Sequence, residues 1–489
     1  MQPLDLVRAP EIARPGLAWL NVPAPLSLAE LKGKLVLLDF WTFCCINCMH
    51  VLPILRKVEE AFPNEVVVIG VHSPKFAAEK DFENLRAAVA RYDIKHPVIH
   101  DPDMLLWRQY DVHAWPTLVF IDPHGRLIGK SSGEPEPIHL LNAVRDALEN
   151  FDEEGSLQPR PLLLKEEPRP ATRLLFPGKI KKLPGKEKLW AVADSGHHQI
   201  VLFDDHGKEL RRFGNGERGG DDGPAEKASF NDPQGLTGDE AFIYVADTGN
   251  HALRSINRQS GEVTLLVGTG ERGTLLLNHF QPARGRALAS PWDLEIKDKI
   301  LFFANAGTHQ IGALDLEANQ VRLIAGSSAE NVRDGEVLNA ELAQPSGLAF
   351  SPDFARLYFA DSETSSIRYI AMKEGCVYTL AGTGLFDFGH VNGALDQARF
   401  QHALGLCVMD DHNLAVADSY NAALRHIDLV QKQVSGLDEG FTCADAVCLP
   451  LAEPAGIWAD GPHRLLVSDT NNHRIVEVDR TVKTTKTWV

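Results

Sequence analysis

The chain has 489 residues, of which 44% are hydrophobic and 24% charged, and its formal net charge is -17. This length exceeds one ordinary hydrophobic core and predicts a soluble globular protein of two or three domains. The acidic balance argues against a nucleic-acid partner, because affinity for a phosphate backbone comes largely from clustered Lys and Arg. The one dense basic stretch, Lys179 to Lys188, is interrupted by Pro184 and Gly185, and we interpret it as a solvated strand edge.

The N-terminus and the apolar runs bear on the compartment. Pro3 and Asp5 stand where a secretory signal needs a basic start and an unbroken apolar core. Apolar runs such as Val66 to Val71 have strand length, well short of the ~20 residues that a membrane helix requires. We therefore expect a cytoplasmic protein without a membrane partner. In a reducing cytosol, a Cys-x-x-Cys pair is more often redox-active or metal-binding than structural.

Residues 1–150 alternate between strand and helix patterns. In chain order, the patterns predict a strand at Leu35–Phe40, a helix at Cys48–Phe62, a strand at Val66–Val71, a helix at Glu79–Tyr92, and strands at Pro97–His100 and Thr117–Ile121. This order predicts an α/β sheet covered by helices. Residues 151–170 begin acidic and then become rich in proline, so we predict a linker there.

Three of the seven cysteines lie together in Cys44-Cys45-Ile46-Asn47-Cys48, directly after the first apolar strand. A strand that delivers Cys-x-x-Cys to the first turn of a helix favours a thiolate, because free N–H groups and the helix dipole stabilise the anion. The segment resembles the active-site region of thioredoxin-fold proteins, and Trp115-Pro116-Thr117 sits where that fold has its cis-proline loop. The resemblance covers about residues 16–150. It implies thiol-disulfide exchange in which Cys45 attacks and Cys48 resolves the mixed disulfide.

Further residues are predicted to support this redox site. Asp39 is the candidate proton acceptor for Cys48, since a buried carboxylate can take a proton near neutral pH; the alternative is a hydrogen-bonded strand residue with no catalytic part. Cys44 stands where thioredoxins commonly have Trp. It is either a second attacking or regulatory thiol or a small apolar filler beneath the loop. Trp41, Trp115 and Pro116 complete the predicted set.

Peroxidase and metal-binding interpretations are weaker. Thr42 lies three residues before the first cysteine of the pair, as in peroxidatic sites, but Leu38 stands where that pattern has Pro. A structural zinc site needs four ligands, and only His50 and His72 add to the cysteines. For copper, Met49 is the one nearby thioether. We predict no metal and no cofactor.

From residue 171 onward, a repeat of 51–58 residues replaces helical periodicity. Each copy has Ala or Ser before a repeated acid or amide, at Asp194, Asp247, Asn305, Asp361, Asp418 and Asp469. Such periods with several short strands are typical of a propeller. The copies resemble the NHL repeat, which forms six-bladed β-propellers, over residues 171–489.

A histidine recurs at one position of four repeats, namely His198, His251, His309 and His473. A channel metal site of the kind seen in one NHL-fold lyase would draw histidines from different blades. A residue that recurs with the period of the fold is better explained as part of the repeat's own turn.

The remaining cysteines form no obvious cluster. We interpret Cys376 and Cys407 as isolated core residues. Cys443 and Cys448 either bridge a short loop or are internal clients of the redox pair.

The whole architecture resembles the NHL repeat-containing proteins of the thioredoxin-like type. It implies a multidomain chain, with an α/β thioredoxin-like domain in 1–150 and an all-β six-bladed propeller in 171–489. The implied function is a thiol-disulfide oxidoreductase that acts on protein or peptide thiols and disulfides, with the propeller as a platform for an unidentified protein partner. The alternative is a non-catalytic scaffold with a redox-silent thioredoxin-like domain.

Overall fold

The computed structural model describes residues 7–489 and divides into two compact units, the first ending at Arg169 and the second running over Pro170–Val489. Residues 1–6, on which the prediction about a secretory signal partly rests, lie outside the described part. Within residues 7–489, no helix is both long and apolar enough to span a bilayer.

The first unit is a six-stranded mixed sheet with the strand order β1-β4-β3-β2-β5-β6. Its strands are β1 (Ala18–Leu20), β2 (Leu35–Trp41), β3 (Val66–His72), β4 (Val98–His100), β5 (Thr117–Ile121) and β6 (Leu127–Ser132). Its helices are α1 (Ile46–Ala61), α2 (Phe82–Arg91), α3 (Leu105–Gln109) and α4 (Pro137–Glu153). The α/β thioredoxin-like prediction is confirmed.

Strand β2 lies at the centre of this sheet and is buried at every position. It pairs in parallel with β3 and antiparallel with β5. Leu35 and Leu37 pack under α1 and α4, whereas Val36 and Leu38 pack against the opposite core with α3. Because successive side chains of a strand alternate between faces, Asp39 points to the face that α1 covers.

The stretch predicted as a linker lies along the first unit. Helix α4 extends to Glu153, and Leu157 and Leu162 pack against the cores of the unit. Backbone N–H groups of Gln158, Arg160 and Lys165 donate to the carbonyl oxygens of Gly33, Asn64 and Asn21 over 2.7, 3.0 and 2.9 Å. Proline has no N–H group, so this segment has fewer backbone donors. The donors that remain hold it against the first unit.

The second unit consists of six sheets, each contributed by one continuous stretch of chain, and all their strand pairs are antiparallel except the short parallel pair of β30 and β34 in the sixth. The first is β7 (Ile180–Leu183), β8 (Leu189–Asp194), β9 (Gln199–Asp204) and β10 (Glu209–Phe213); the second is β11 (Pro233–Gly238), β12 (Phe242–Asp247), β13 (Ala252–Asn257) and β14 (Val263–Val267). The third is β15 (Gln281–Pro282), β16 (Pro291–Lys297), β17 (Ile300–Asn305), β18 (Gln310–Asp315) and β19 (Gln320–Ala325). The fourth is β20 (Gly335–Glu336), β21 (Pro345–Phe350), β22 (Arg356–Asp361), β23 (Ser366–Ala371) and β24 (Cys376–Ala381). The fifth is β25 (Gly393–Ala394), β26 (Gly405–Asp410), β27 (Asn413–Asp418), β28 (Ala423–Asp428) and β29 (Gln433–Gly436). The sixth is β30 (Thr442–Cys443), β31 (Pro454–Asp460), β32 (Arg464–Asp469), β33 (Arg474–Asp479) and β34 (Thr484–Thr487).

Strands β7, β11, β16, β21, β26 and β31 contact one another in a closed ring, which makes them the innermost strands of six blades. The two-residue strands β15, β20, β25 and β30 pair with the outermost long strand of their blades. The prediction of a six-bladed propeller is confirmed. Strand β34, near the end of the given sequence, is the outermost long strand of the sixth blade.

The repeated acid or amide ends the second long strand of each blade and is fully buried in all six. One of its side-chain oxygens accepts a backbone N–H over 2.7–3.0 Å from Leu175, Asn231, Ala289, Ala343, Gln401 and Ala452, in blade order. In five blades an arginine pairs with the other oxygen, namely Arg212, Arg254, Arg368, Arg425 and Arg474. The repeat therefore recurs because each blade needs a buried acceptor at this corner.

The recurrent histidines connect neighbouring blades. The Nδ1 atoms of His198, His251 and His309 accept the backbone N–H of Asp232, Ser290 and Gln344 over 3.0–3.1 Å. His473 accepts the N–H of Phe176 over 3.2 Å and so joins the sixth blade to the first. These contacts support the interpretation of the histidines as part of the repeat's turn.

Two lysines of the basic stretch are buried, so the solvated-edge prediction is wrong for them. Lys179, on the approach to β7, donates to the carbonyl oxygens of Leu404 and Ala455 in the fifth and sixth blades. Lys181 on β7 forms a 2.6 Å ion pair with Glu295 on β16. The blade periodicity explains the error, because alternate residues of an innermost strand face the propeller axis and are enclosed there.

The remaining cysteines differ in their surroundings. Cys407 is buried on β26, as predicted, whereas Cys376 on β24 is partly exposed and does not belong to the core. Cys443 and Cys448 are joined by a disulfide with a Cα–Cα distance of 6.0 Å.

Breaking the Lys181–Glu295 pair should destabilise the propeller. Glu295→Gln leaves a buried ammonium without its nearest counter-charge, and we expect a loss of about 3 kcal/mol in the free energy of unfolding. Lys299→Gln removes the exposed pair with Asp239 and should cost at most about 1 kcal/mol. Denaturant unfolding read by hydrogen exchange of the blade strands measures both. An equal loss of unfolding free energy in the two variants would show that the buried Lys181–Glu295 pair stabilises the propeller no more than an exposed ion pair does.

Candidate functional site

Cys45 and Cys48 lie at the beginning of α1, which follows β2 by a short loop. Cys45 is the N-cap of the helix and is half-buried, and Cys48 is fully buried one turn further on. Both are free thiols, and the backbone N–H of Cys48 donates to Sγ of Cys45 over 3.4 Å. Cys45 is therefore the more accessible of the two sulfurs, and helix N–H groups are oriented to stabilise its anion.

Asp39 lies beneath this pair on the face of β2 that α1 covers. It is fully buried, and neither carboxyl oxygen has a hydrogen-bond partner among residues 7–489. Burial raises the pKa of Asp39 to about 7, with an opposing contribution from His96. Burial, the hydrogen bond to Cys45 and the nearby negative charges of Cys45 and Asp39 raise the pKa of the Cys48 thiol well above its usual value. The arrangement fits a carboxylate that exchanges a proton with Cys48.

Cys44 is fully buried and faces away from solvent. Its backbone N–H donates to Oε1 of Glu79 over 3.0 Å, and the Thr42 hydroxyl donates to the same oxygen over 2.6 Å. The other oxygen of Glu79 accepts the N–H groups of Lys75 and Phe76, both over 2.9 Å. Glu79 thus fixes the loop that precedes Cys45 to the loop that follows β3. The burial of Cys44 favours its interpretation as a filler over that of a second attacking thiol.

The predicted aromatic and proline residues surround the site. Trp41 is fully buried and meets His72 edge-on with ring centroids 5.3 Å apart, while Phe43 stacks on the same imidazole at 5.1 Å. The Trp115–Pro116 peptide bond is cis, and the Trp115 indole N–H donates to the carbonyl of Ser73 over 2.9 Å. Pro116 directly precedes β5, the strand that pairs with β2.

The histidines considered as metal ligands have other roles. Nδ1 of His50 lies 3.2 Å from the carboxylate of Glu134. Burial, together with His100, holds the pKa of His72 well below its usual range. Among the described residues, no three His, Cys, Asp or Glu side chains are grouped as metal ligands would be.

Two residues of the site were missed in the sequence. Glu79 lies in a single 3-10 turn and His96 in a loop before β4, and neither belongs to a motif or a periodic pattern. Their roles depend on contacts with residues 35 or more positions away, such as Cys44 and Glu59. The sequence shows only that charged residues are frequent after β3, and this does not reveal which residues Glu79 and His96 contact.

Residues 33–127 match a family model described as thioredoxin-like. NHL repeat-containing protein 2 of Gallus gallus is 36% identical over 97% of this chain and 70% of its own length. Protein SUPPRESSOR OF QUENCHING 1, chloroplastic, of Arabidopsis thaliana is 39% identical over 95% of this chain, which spans 46% of that protein. The thiol-disulfide oxidoreductase ResA of Bacillus subtilis is 29% identical over 22% of this chain and 58% of its own.

The Glu79 anchor predicts how well Cys44 is protected. Glu79→Ala removes the acceptor of four hydrogen bonds. If this destabilises the closed form of the loop before Cys45 by about 2 kcal/mol, the loop opens roughly 30-fold more often. We expect Cys44 to be alkylated that much faster in the native protein, as read by mass spectrometry. Glu83→Ala, on the exposed side of α2, should leave the rate unchanged. Equal protection of Cys44 in Glu79→Ala would contradict the anchoring role.

The raised pKa of Asp39 predicts a pH-dependent stability. The folded carboxyl, with its pKa of about 7, keeps its proton up to about that pH, whereas the unfolded one releases it near the ordinary aspartate pKa of 3.8. The contribution of Asp39 to stability is complete below the lower value and is lost as the pH rises through the higher one, a fall of roughly 2.5 kcal/mol between pH 5 and pH 8. Asp39→Asn should abolish this fall. Labelling of Cys44 across a urea series measures it, with Asp146→Asn on exposed α4 as the control.

Proposed function

This chain belongs to the family of NHL repeat-containing protein 2, and from that membership and the geometry of its thiols we propose that it is a thiol-disulfide oxidoreductase. The observation that supports this most is the half-buried, reduced Cys45 at the N-cap of α1 with buried Cys48 one turn behind it and unpartnered Asp39 beneath. The similarity of residues in the first unit to a protein named as a thiol-disulfide oxidoreductase agrees with the proposal.

The proposed reaction reduces a disulfide in two exchanges. The Cys45 thiolate attacks one sulfur of the substrate disulfide, forms a mixed disulfide and releases the first substrate thiolate. Cys48 gives its proton to Asp39, and its thiolate then attacks Sγ of Cys45. The Cys45–Cys48 disulfide forms, the second substrate thiolate leaves, and two electrons have passed from the dithiol to the substrate. The burial of Cys48 restricts it to this second, internal attack.

We propose protein or peptide disulfides as substrates. Cys45 is the more accessible sulfur, and the cis Trp115–Pro116 step leads directly into β5, the strand that pairs with β2 just before the cysteines. An extended peptide that carries a disulfide fits such a strand end, because main-chain groups can pair with it.

For the propeller we propose a role as a platform for a protein partner. Large apolar side chains on its loops are exposed to solvent, among them Phe280 at 51% and Phe386 at 75%. Such residues are the usual anchors of protein interfaces. The identity of the partner is not implied by these residues.

Replacement of the two cysteines should separate the steps. Cys45→Ser should lower insulin-disulfide reduction at least about 1,000-fold, since it removes the nucleophile. Cys48→Ser should accumulate mixed disulfides through Cys45, which non-reducing gels and mass spectrometry detect. Cys376→Ser, which removes the partly exposed thiol of the fourth blade, should behave as the wild type. If Cys45→Ser retains full activity, the enzyme proposal is wrong and the non-catalytic scaffold replaces it.

A further inference from the structure

Asp39 and two other buried polar groups lie around Gly70 in the first unit. The carboxyl oxygens of Asp39, Nε1 of Trp41 and Nε2 of His96 have no hydrogen-bond partner among residues 7–489. Gly70 on β3 is the register partner of Asp39, and paired residues present the same face of a sheet. A Cβ at Gly70 would lie 2.9 Å from Nε1 of Trp41 and 3.4 Å from Nε2 of His96. The glycine therefore lets the indole and the imidazole approach the face that carries the Asp39 carboxyl.

His96 connects this buried point to the surface of the unit. Its Nδ1 lies 3.3 Å from Oε2 of Glu59, whose side chain is 31% exposed, whereas the imidazole itself is 5% exposed. Both residues line a groove of about 580 Å³ that also touches Val68 and Pro161. An imidazole can accept a proton at one nitrogen and release another from its second nitrogen. His96 thus has one nitrogen on the face of the sheet that carries Asp39 and the other 3.3 Å from a carboxylate that solvent reaches.

The proposed reaction needs such a connection. Cys48 and Asp39 are both fully buried, and α1 covers them. An Asp39 carboxyl that still holds a proton cannot accept the one from Cys48, so that proton must leave before the resolving step. The mouth at Cys45 is occupied by the substrate in the mixed disulfide. The groove begins on α1 one turn beyond Cys48, at Leu52, and is not part of that mouth.

We propose that His96 and Glu59 form a proton route between Asp39 and the solvent of this groove, an inference that rests on the proposed oxidoreductase function. In the resolving step, Cys48 transfers its proton to the Asp39 carboxylate and its thiolate attacks Cys45. The proton of Asp39 then passes to Nε2 of His96 by way of one water molecule, since the two groups share no direct hydrogen bond, and the Nδ1 proton passes to Glu59 and on to solvent. Asp39 is again a carboxylate, one proton has left the site, and no electrons beyond those of the dithiol are involved. His96 acts through Asp39 and is a positioning residue in this scheme.

Other charged groups around His96 already have partners. Arg56 of α1 lies 3.9 Å from the carboxylate of Asp93. Lys95 pairs with Asp93 over 2.9 Å and with Glu166 over 2.7 Å. Glu60 also lines the groove, while β3 contributes only apolar residues there. Of these groups, Glu59 is the one bonded to the His96 ring, so it is the group that receives the proton.

The aromatic disulfide dithiobis(nitrobenzoate), used below one equivalent in a Cys376→Ser background, separates the two exchanges. The first nitrothiobenzoate is released when Cys45 attacks, and the second when Cys48 resolves. At pH 6, where Asp39 begins protonated, we expect His96→Gln to leave the first rate unchanged and to slow the second about 10- to 100-fold, because Asp39 must lose its proton without a carrier before it can accept the one from Cys48. Glu59→Gln should slow the second release about threefold, since solvent in the groove can still take the proton from His96. His139→Gln, exposed on α4, is the matched control and should change neither rate.

Rescue by a small base distinguishes a proton route from a structural effect. In His96→Gly, added imidazole should restore the second release and shift its pH profile toward that of the wild type, while acetate of equal concentration should not. A second release that stays at the wild-type rate in His96→Gln, or a defect that imidazole does not relieve, would overturn the route while leaving the oxidoreductase intact. Loss of the first release in the unsubstituted protein would instead overturn the oxidoreductase and the route together.

Discussion

A carboxylate that is excluded from water must find donors or take up a proton, and this constraint organises both units of the protein. In the blades, Asp247, Asp361 and Asp418 each accept a backbone N–H and an arginine, and these bonds secure the corner of each blade. Burial raises the pKa of Asp247 only to about 6, because Arg254 and its other donors oppose it. Asp39 is equally buried without such donors. The same side chain therefore secures a corner of each of these blades in the propeller, whereas in the first unit it is left without donors among the described residues, and there we propose that it exchanges a proton with Cys48.

Around Cys45 and Cys48, different elements divide the work. The end of β2 carries Asp39 and Trp41, and the start of α1 carries the two sulfurs. Glu79, from a turn beyond β3, accepts two hydrogen bonds from the loop between them and two from the loop that follows β3, and so ties the two loops together. The loop can then be short and closed, which keeps Cys44 inside and Cys45 at the surface. Rigid placement of one reactive sulfur and burial of the other favour an ordered exchange, because only Cys45 is open to an external disulfide.

Local signals in the sequence were enough for the fold class, for most strands and for the placement of Cys45 and Cys48 at the start of a helix. The strand-helix order around Cys45, the cis-proline step at Trp115–Pro116 and the six repeated acids or amides are short patterns whose meaning does not depend on distant residues. Predictions failed where enclosure was decided by other parts of the chain. Lys179 and Lys181 were predicted to be solvated because they belong to a basic stretch, yet they lie on or beside an innermost strand. Their partners, Glu295 and two carbonyl oxygens, come from other blades and lie near them only when the ring is closed.

The linear pattern specified a strand that brings two cysteines and an aspartate to the start of a helix, and a chain that repeats one blade six times. It could do so because period, spacing and residue type act over short distances. Whether Asp39 would be paired or unpaired, whether Cys44 would be open or enclosed, and which groups would surround the carboxyl were settled by folding. His96, Glu59 and Gly70 approach one another from a loop, a helix and a strand. Their proximity is a property of packing, since burial and charge at a point depend on every element that reaches it.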